Sequence, residues 1–488
     1  MKFKSRIITR VNLILVGTVL NASCMLGPNF SAPEPPKVTD YTEKKNPSKT
    51  VSASGPGGQQ QSFFSNKEIP SLWWELYHSH EINQLIRTGL ANNPSLAAAS
   101  ASLRQAQESL KEQIGNSMWP SIDFVDNIER QRYSTIQIGF PNRVSTFNIF
   151  YTSFNLSYTL DVFGGSRRQI EALRANVDYQ EFEVIAAYLT LTSNIVTTSI
   201  SLASFQAQIE ETTRLIQAEQ LVLDLLIKQY RLGGVSKQNI LTQQTLLEQS
   251  KATLPPLQRS LSQAKHTLST LVGEFPDKPL PSIHLDLLKL PTELPISLPS
   301  NLVRQRPDVR ASEALLHAAC AQVGVATANL FPQFTISANE GWVNSAWANL
   351  YGVKNNIWSG SGLLSQPIFH GGALMAQRRA AIAAYEQSAA QYKQTVLQAF
   401  KNVADVLSGL VEDARTLKAQ INAEEATRSS LSLTRKQYRL GAVNYISLLN
   451  AQQQYQQTRI NRIQAQVTRY NDTAALFQAL GGGWWNKS

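Results

Sequence analysis

The side chains best suited to coordinate a metal, attack a carbonyl or carry a covalent group are six histidines, one glycine-flanked serine and two cysteines. The histidines stand at 78, 80, 266, 284, 317 and 370. None belongs to a His-Glu-x-x-His pair, and His78 with His80 has no plausible third ligand nearby, so a zinc centre lacks a framework. Ser361 sits between glycines without the Gly-x-Ser-x-Gly elbow that exposes a nucleophile. No phosphate-binding loop occurs. The expectation is no catalytic residue, no metal and no cofactor.

Cys24 suits a different chemistry. Lys2, Lys4, Arg6 and Arg10 precede an apolar stretch from Val11 to Leu20, then small residues Ala22 and Ser23, which reads as an export signal over residues 1–23. A cysteine directly after the small residues suits cleavage followed by lipid attachment to its thiol. An ordinary secretory signal that happens to contain a cysteine is the alternative, and Asn21, where lipoprotein signals favour Leu, speaks for it. The other cysteine, Cys320, reads as a small buried hydrophobe, and two cysteines make no disulfide framework.

Of the formal charge of +10, the four basic residues of the signal supply +4, and the remaining +6 is spread over more than 460 residues. Without a basic patch, zinc-finger spacing or RNA-binding motif, nucleic acid is not an expected partner. Charged residues make up 16% of the chain and apolar ones 43%, which excludes a disordered or collagen-like chain. Beyond the signal no run of 18 apolar residues exists, so any membrane role falls to strands.

The elements that must position these residues come in two similar sets. Tyr230-Arg231-Leu232-Gly233 returns 208 positions later as Tyr438-Arg439-Leu440-Gly441. At nearly the same displacement Asn93-Pro94 matches Arg306-Pro307, Trp119-Pro120 matches Phe331-Pro332, and Phe163-Gly164-Gly165 matches Phe369-His370-Gly371-Gly372. Each set reads helix, strand pair, very long helix, tight turn, returning helix. The resulting division is a signal at 1–23, an extended N-terminal segment at 24–70 rich in Pro, Ser and Gly with no packed core, and repeats at 71–280 and 281–488.

From Ser166 to Leu232 there are 67 residues without Gly or Pro, a helix of roughly 100 Å at 1.5 Å per residue. In the partner arm Val396, Phe400, Val403, Leu407 and Leu410 recur at alternating steps of four and three, a period near 3.5 that predicts coiled packing. Gly409 is a possible break, and Pro255-Pro256 in the first returning helix a more certain one. Phe150, Phe154, Leu156, Tyr158 and Leu160 mostly alternate with polar residues, as do Phe334, Ile336 and Ala338, so both segments read as strands with one apolar face. Ser121–Arg132 and Ile357–Phe369 are weaker candidates for their partners, joined through loops Ser134–Val144 and Asn344–Asn356. Four strands cannot close a membrane barrel, for which eight is the usual minimum, and lipid does not tolerate open edges. Strands in a membrane would therefore need several copies of the chain; two soluble hairpins on a helical bundle are the alternative.

The chain resembles outer-membrane efflux proteins of the TolC type, specifically the lipoprotein branch serving resistance, nodulation and division (RND) pumps. Cys24 followed by Gly27-Pro28-Asn29-Phe30 and Pro33, Trp73-Trp74, Arg306-Pro307-Asp308 and the two Tyr-Arg-Leu-Gly turns carry the resemblance over nearly the whole chain. It implies a mixed α and β membrane protein, a homotrimer whose copies each give four strands to a 12-stranded barrel continued by a long periplasmic helical tunnel. Drugs and toxic compounds would pass through it from an inner-membrane RND pump and a periplasmic adaptor, the membrane fusion protein, across the outer-membrane lipid of a Gram-negative bacterium. The resemblance further implies acylation of Cys24 and adaptor contact at Tyr230, Arg231, Leu232, Gly233, Tyr438, Arg439, Leu440 and Gly441. Relatives narrow their tunnel beyond the second turn, often with a carboxylate at the place matching Asn450 and sometimes another near Ser447; here neither is acidic, and Ile446 would line the constriction with them. A periplasmic coiled-coil adaptor or scaffold is the rival reading. It would carry one hairpin, not a repeated unit.

Overall fold

A computed structural model describes residues 25–43, 47–65, 67–141 and 143–486; the export signal and Cys24 lie outside the described residues. In chain order the elements are β1 (Ser62–Ser65), α1 (His80–Asn92), α2 (Pro94–Met118), β2 (Ser121–Ser134), β3 (Val144–Leu160), α3 (Gly165–Arg231) and α4 (Lys237–Leu271). There follow β4 (Glu293–Ile296), α5 (Pro299–Gln305), α6 (Pro307–Ala328), β5 (Gln333–Asn344), β6 (Asn356–Ser365), α7 (Ala373–Arg439) and α8 (Tyr445–Ala479). Helices α3 and α7 are each 67 residues long, and α4 and α8 each 35.

One compact unit comprises the described residues up to Pro33, Ser102–Gln180 and Ser312–Tyr392. It holds an antiparallel sheet in the order β2-β3-β5-β6, with the strand ends on either side of both predicted loops where the sequence places them. Strand β6 stops at Ser365, earlier than Phe369, because Pro367 lacks a donor and Gln366 turns its amide to the carbonyl oxygens of Leu330 and Pro367.

The register sorts residue types by face. Ser121, Ser157, Ser337 and Ser361 lie directly opposite one another in a row, and Asp123, Asn155, Asn339 and Ser359 form the next row on the same face. There the Asn339 amide donates to the Tyr151 hydroxyl at 2.8 Å and also to Asn155 Oδ1. The intervening rows pair Ile122 with Leu156, Phe124 with Phe154, and Leu160 with Phe334, opposite Leu364. Much of this second face is bare, with Ile122 66%, Phe124 60% and Trp358 76% exposed. The outer edges of β2 and β6 have no partner strand among the described residues.

The second unit comprises Glu34–Ala101, Glu181–Ala311 and Lys393–Ser488. Its core is helical, and the predicted stripe is inside: Val396, Val403, Leu407 and Leu410 are buried, as are Ile463 and Tyr470 on α8. Trp73 stacks on Phe477 at 5.3 Å, and the Tyr77 hydroxyl donates to the carbonyl of Tyr470. In α3 an 18-residue stretch reaches mean hydropathy 1.3, enough by length and composition to cross a membrane, although a bundle's core helix passes the same test.

Three expectations fail here for identifiable reasons. Gly409 does not break α7; a Cβ there would lie 2.7 Å from Asp472 Oδ2, so the glycine admits the carboxyl group of α8. Pro255 and Pro256 lie inside a continuous α4. The carbonyls they leave without donors belong to Lys251 and Ala252, both exposed residues, where water can take the place of the lost bonds. Nor is the segment before α1 without packing: β1 pairs in parallel with β4, and Thr50, Gln61 and Ile69 are at most 2% exposed.

The centre of that packing is Arg469. Its guanidinium, fully buried, donates to the carbonyls of Gly57 and Gln59, to Thr50 Oγ1 and to Gln61 Oε1. Gln61 in turn donates to the Pro291 carbonyl and to Thr473 Oγ1. No local pattern marks such a residue, because its partners lie about 410 positions away in sequence.

Candidate functional site

Each long helix ends in the same device. After α3, Gly233 takes φ +77°, and after α7, Gly441 takes φ +75°, with open space where a Cβ would lie. Only the left-handed conformation therefore demands glycine. The Gly234 amide donates to the Gln229 carbonyl at 2.8 Å and Gly233 to Tyr230 at 3.0 Å; Ala442 to Gln437 and Gly441 to Tyr438 repeat the pattern at 2.9 and 3.0 Å. These paired bonds satisfy the last helical carbonyls.

What the turns present is also alike. Leu232 is 86% and Leu440 83% exposed. Lys228 with Arg231, and Lys436 with Arg439, fill the last turns, where positive charge complements the helix dipole. No salt bridge holds these four among the described residues.

The tyrosines differ. Tyr230 is 46% exposed, whereas Tyr438 packs on Tyr445 with ring centroids 5.9 Å apart. Tyr445 itself is buried with Leu226 and Leu449, which brings the first hairpin against α8. Its hydroxyl bonds Gln243 Oε1, and Gln243 Nε2 donates to the Glu219 carbonyl. Burial raises the Tyr445 hydroxyl well above its ordinary pKa, with Tyr438 and Glu219 adding to the effect. Asn444 caps α8, accepting from the amide and the hydroxyl of Ser447, both at 2.9 Å. Sequence reasoning missed this cap although its signal, an Asn just before an apolar-periodic run, was present. Ser447 is thus engaged in the cap, while Ile446 and Asn450, on one face at a spacing of four, are exposed.

In the sheet-bearing unit the residues that follow Cys24 are clamped. Leu26 donates its amide to the Phe163 carbonyl, and Arg168, 1% exposed at its side chain, reaches the carbonyls of Leu26 and Gly27, Asn29 Oδ1 and Glu171. Gly27 has φ +89°, and a Cβ there would fall 2.4 Å from the Gly324 Cα. Phe30 stacks on His317 at 4.4 Å, and His317 Nε2 meets Glu171 Oε1 at 2.9 Å. The Gly-Pro-Asn-Phe motif is therefore a docking sequence. Among the described residues no cluster of three His, Cys, Asp or Glu is placed to hold a metal.

Comparison with known proteins agrees with this geometry. The profile of the family described as outer membrane efflux protein matches residues 85–274 and 298–482. The pyoverdine export outer membrane protein OpmQ of Pseudomonas putida is 28% identical over 442 residues, spanning 89% of this chain and 93% of its own. The cation efflux system protein CusC of Escherichia coli O6:H1 is 26% identical over 469 residues, 94% of this chain and 96% of its own. Among solved structures, the outer-membrane channel OprN matches with a TM-score of 0.85 and 25% identity over 95% of this chain and all of that one.

Proposed function

The chain belongs to the outer membrane efflux protein family, whose members are transport channels and not enzymes, and from that premise we propose how its parts serve as the outer-membrane channel of a tripartite efflux pump. Three copies join their four-stranded sheets into one 12-stranded barrel, and the long helices supply the periplasmic tunnel. The single observation that supports this best is the sheet: it has an exposed apolar face, a polar face and two unpartnered edges. A lone copy would leave backbone donors and acceptors open in lipid, which closure with identical copies removes. The rows of Ser and Asn would then line a wet lumen.

Trp119, Phe163, Phe331 and Phe369 stand one at each junction of strand and helix, a pattern suited to the interfacial belt at a bilayer's edge. The clamped residues Met25–Phe30 leave from that junction through Leu26 and Phe163, which suits a lipid on Cys24 entering the same leaflet. Segments 71–280 and 281–488 act as two repeats of one plan, in keeping with equal helix lengths. The Tyr230–Gly233 and Tyr438–Gly441 turns receive the periplasmic adaptor, and Ile446, Ser447 and Asn450 narrow the tunnel nearby. Without an acid there, the constriction is not strongly cation-selective. The cargo is chosen by the inner-membrane pump.

Reversing charge at the tips tests the docking assignment. The double variant Arg231→Glu/Arg439→Glu is expected to abolish drug export while trimers still reach the outer membrane and conduct ions in planar bilayers. Unchanged export removes the assignment; a soluble monomer removes the channel assembly itself.

A further inference from the structure

Two buried acceptors without a donor line one groove of the helical unit. Glu219 on α3 is 2% exposed, and its Oε2 has no hydrogen-bond partner. Gln456 on α8 presents a buried Oε1 in the same condition. Both line a groove of about 590 Å³ walled by α3, α4 and α8, with Gln249, Ser250, Gln453 and Asn461 among its other polar sides. Buried polar atoms are nearly always paired, and a lone carboxylate oxygen is among the costliest to leave bare. No Lys, Arg or His lines the groove, and the Ser250 hydroxyl that bears on the Glu219 carboxyl leaves Oε2 unpaired.

The donor set selects the kind of guest. Divalent cations take six or more oxygen ligands, commonly from several carboxylates. This groove offers one carboxylate among neutral amides and hydroxyls. A singly charged group with several N–H donors matches that set, and the volume lies in the range of pockets for small molecules. We propose that the groove binds the ammonium group of a small organic cation, with Glu219 Oε2 as its counter-ion and Gln456 Oε1 as a second acceptor. Burial raises the Glu219 carboxyl above the usual carboxylate range, opposed by the Ser250 hydroxyl, and an ammonium partner would restore the ionised form. The groove joins α3 and α4 to α8, so a bound cation ties the two hairpins together. It lies about 18 Å along α3 from the first turn at 1.5 Å per residue, and it stands whether or not an adaptor docks there.

The test titrates the full-length protein in detergent with propylammonium chloride, using sodium chloride at equal ionic strength as the control. Wild type is expected to show a saturable rise in melting midpoint of a few degrees with propylammonium alone. Tetramethylammonium, which has no N–H donor, should bind at least about tenfold more weakly. Glu219→Gln and Gln456→Leu should each weaken propylammonium binding by about tenfold or more. No saturable rise, an equal rise with sodium, or an unchanged affinity in Glu219→Gln overturns the proposal. Should Glu219→Gln fail to assemble, Gln456→Leu decides alone: unchanged affinity there overturns it.

Discussion

The hairpins α3–α4 and α7–α8 share lengths, turn sequence and terminal bonding, yet they are built around different interiors. Where the second carries Asp413, Arg469 and Asp472, the positions 208 residues earlier hold Phe205, Leu261 and Ala264. The first is apolar at those places. The second uses a guanidinium to hold residues 50–61 and a carboxyl pair across α7 and α8. A common frame thus sets the reach and the turn, while the neighbours of each hairpin set its interior. Substitutions that make one hairpin resemble the other should expose that division of labour.

The largest effect belongs to Arg469→Leu, which installs the residue of its counterpart Leu261. It strands the carbonyls of Gly57 and Gln59 and leaves Thr50 Oγ1 with the Gln61 amide as its remaining donor. Removing the donor from a buried charged network is expected to cost about 3–5 kcal/mol. Thermal unfolding in detergent measures that cost, and protease cleavage within residues 50–61 localises it. At the counterpart, Leu261→Ala should cost less than about half as much, the side chain being only partly buried. Equal costs would show that the second hairpin's polar interior has no special hold on the N-terminal segment.

A smaller effect depends on pH. Burial, the Asp472 charge and the hydrogen bond between the two carboxyls push Asp413 up to about 7, with Arg469 pulling the other way. The folded state therefore keeps a proton that the unfolded chain releases near pH 4. Stability from this pair is present below that point and is lost as pH rises through about 7. The melting midpoint should fall by about a few degrees between pH 5.5 and 8, and Asp413→Asn should flatten the difference. An identical slope in the variant would assign the pH dependence elsewhere. At the matching places the first hairpin has Phe205 and Ala264, neither of which titrates.

Much of this frame was legible in the chain, for reasons that are local. The glycines after Tyr-Arg-Leu, the alternation of β3 and the gap-free run of α3 each act on adjacent residues. The parallel pairing of β1 with β4 is not local, since Ser62 meets Glu293. Arg469 and Glu219 look like solvated helix charges in sequence; only the packing of distant segments buries them. Pro255-Pro256 misled in the opposite sense, because a strong local rule yields when the freed carbonyls face water and long flanking turns hold the helix. Of the candidate site, the glycine turns were readable, whereas the contacts of Tyr445 with Gln243 and Leu226 were not.

The smallest effect compares the two returning helices at their first residues. Asn444 accepts from the Ser447 amide and hydroxyl, while Ser236, in the matching place before α4, makes no side-chain cap. Asn444→Ala should therefore cost about 1 kcal/mol, and Ser236→Ala should stay within about 0.5 kcal/mol. Amide exchange provides the local readout: the Ser447 amide should exchange faster in Asn444→Ala, while the Asn239 amide, bonded to the Ser236 carbonyl and not to its side chain, should be unmoved by Ser236→Ala. The cap matters because Tyr445 follows it directly, and its buried ring joins Leu226 of the first hairpin to Leu449 of the second. If both alanine variants cost the same, the cap is not what seats Tyr445. The asymmetry between the turns would then lie wholly in how the hairpins pack.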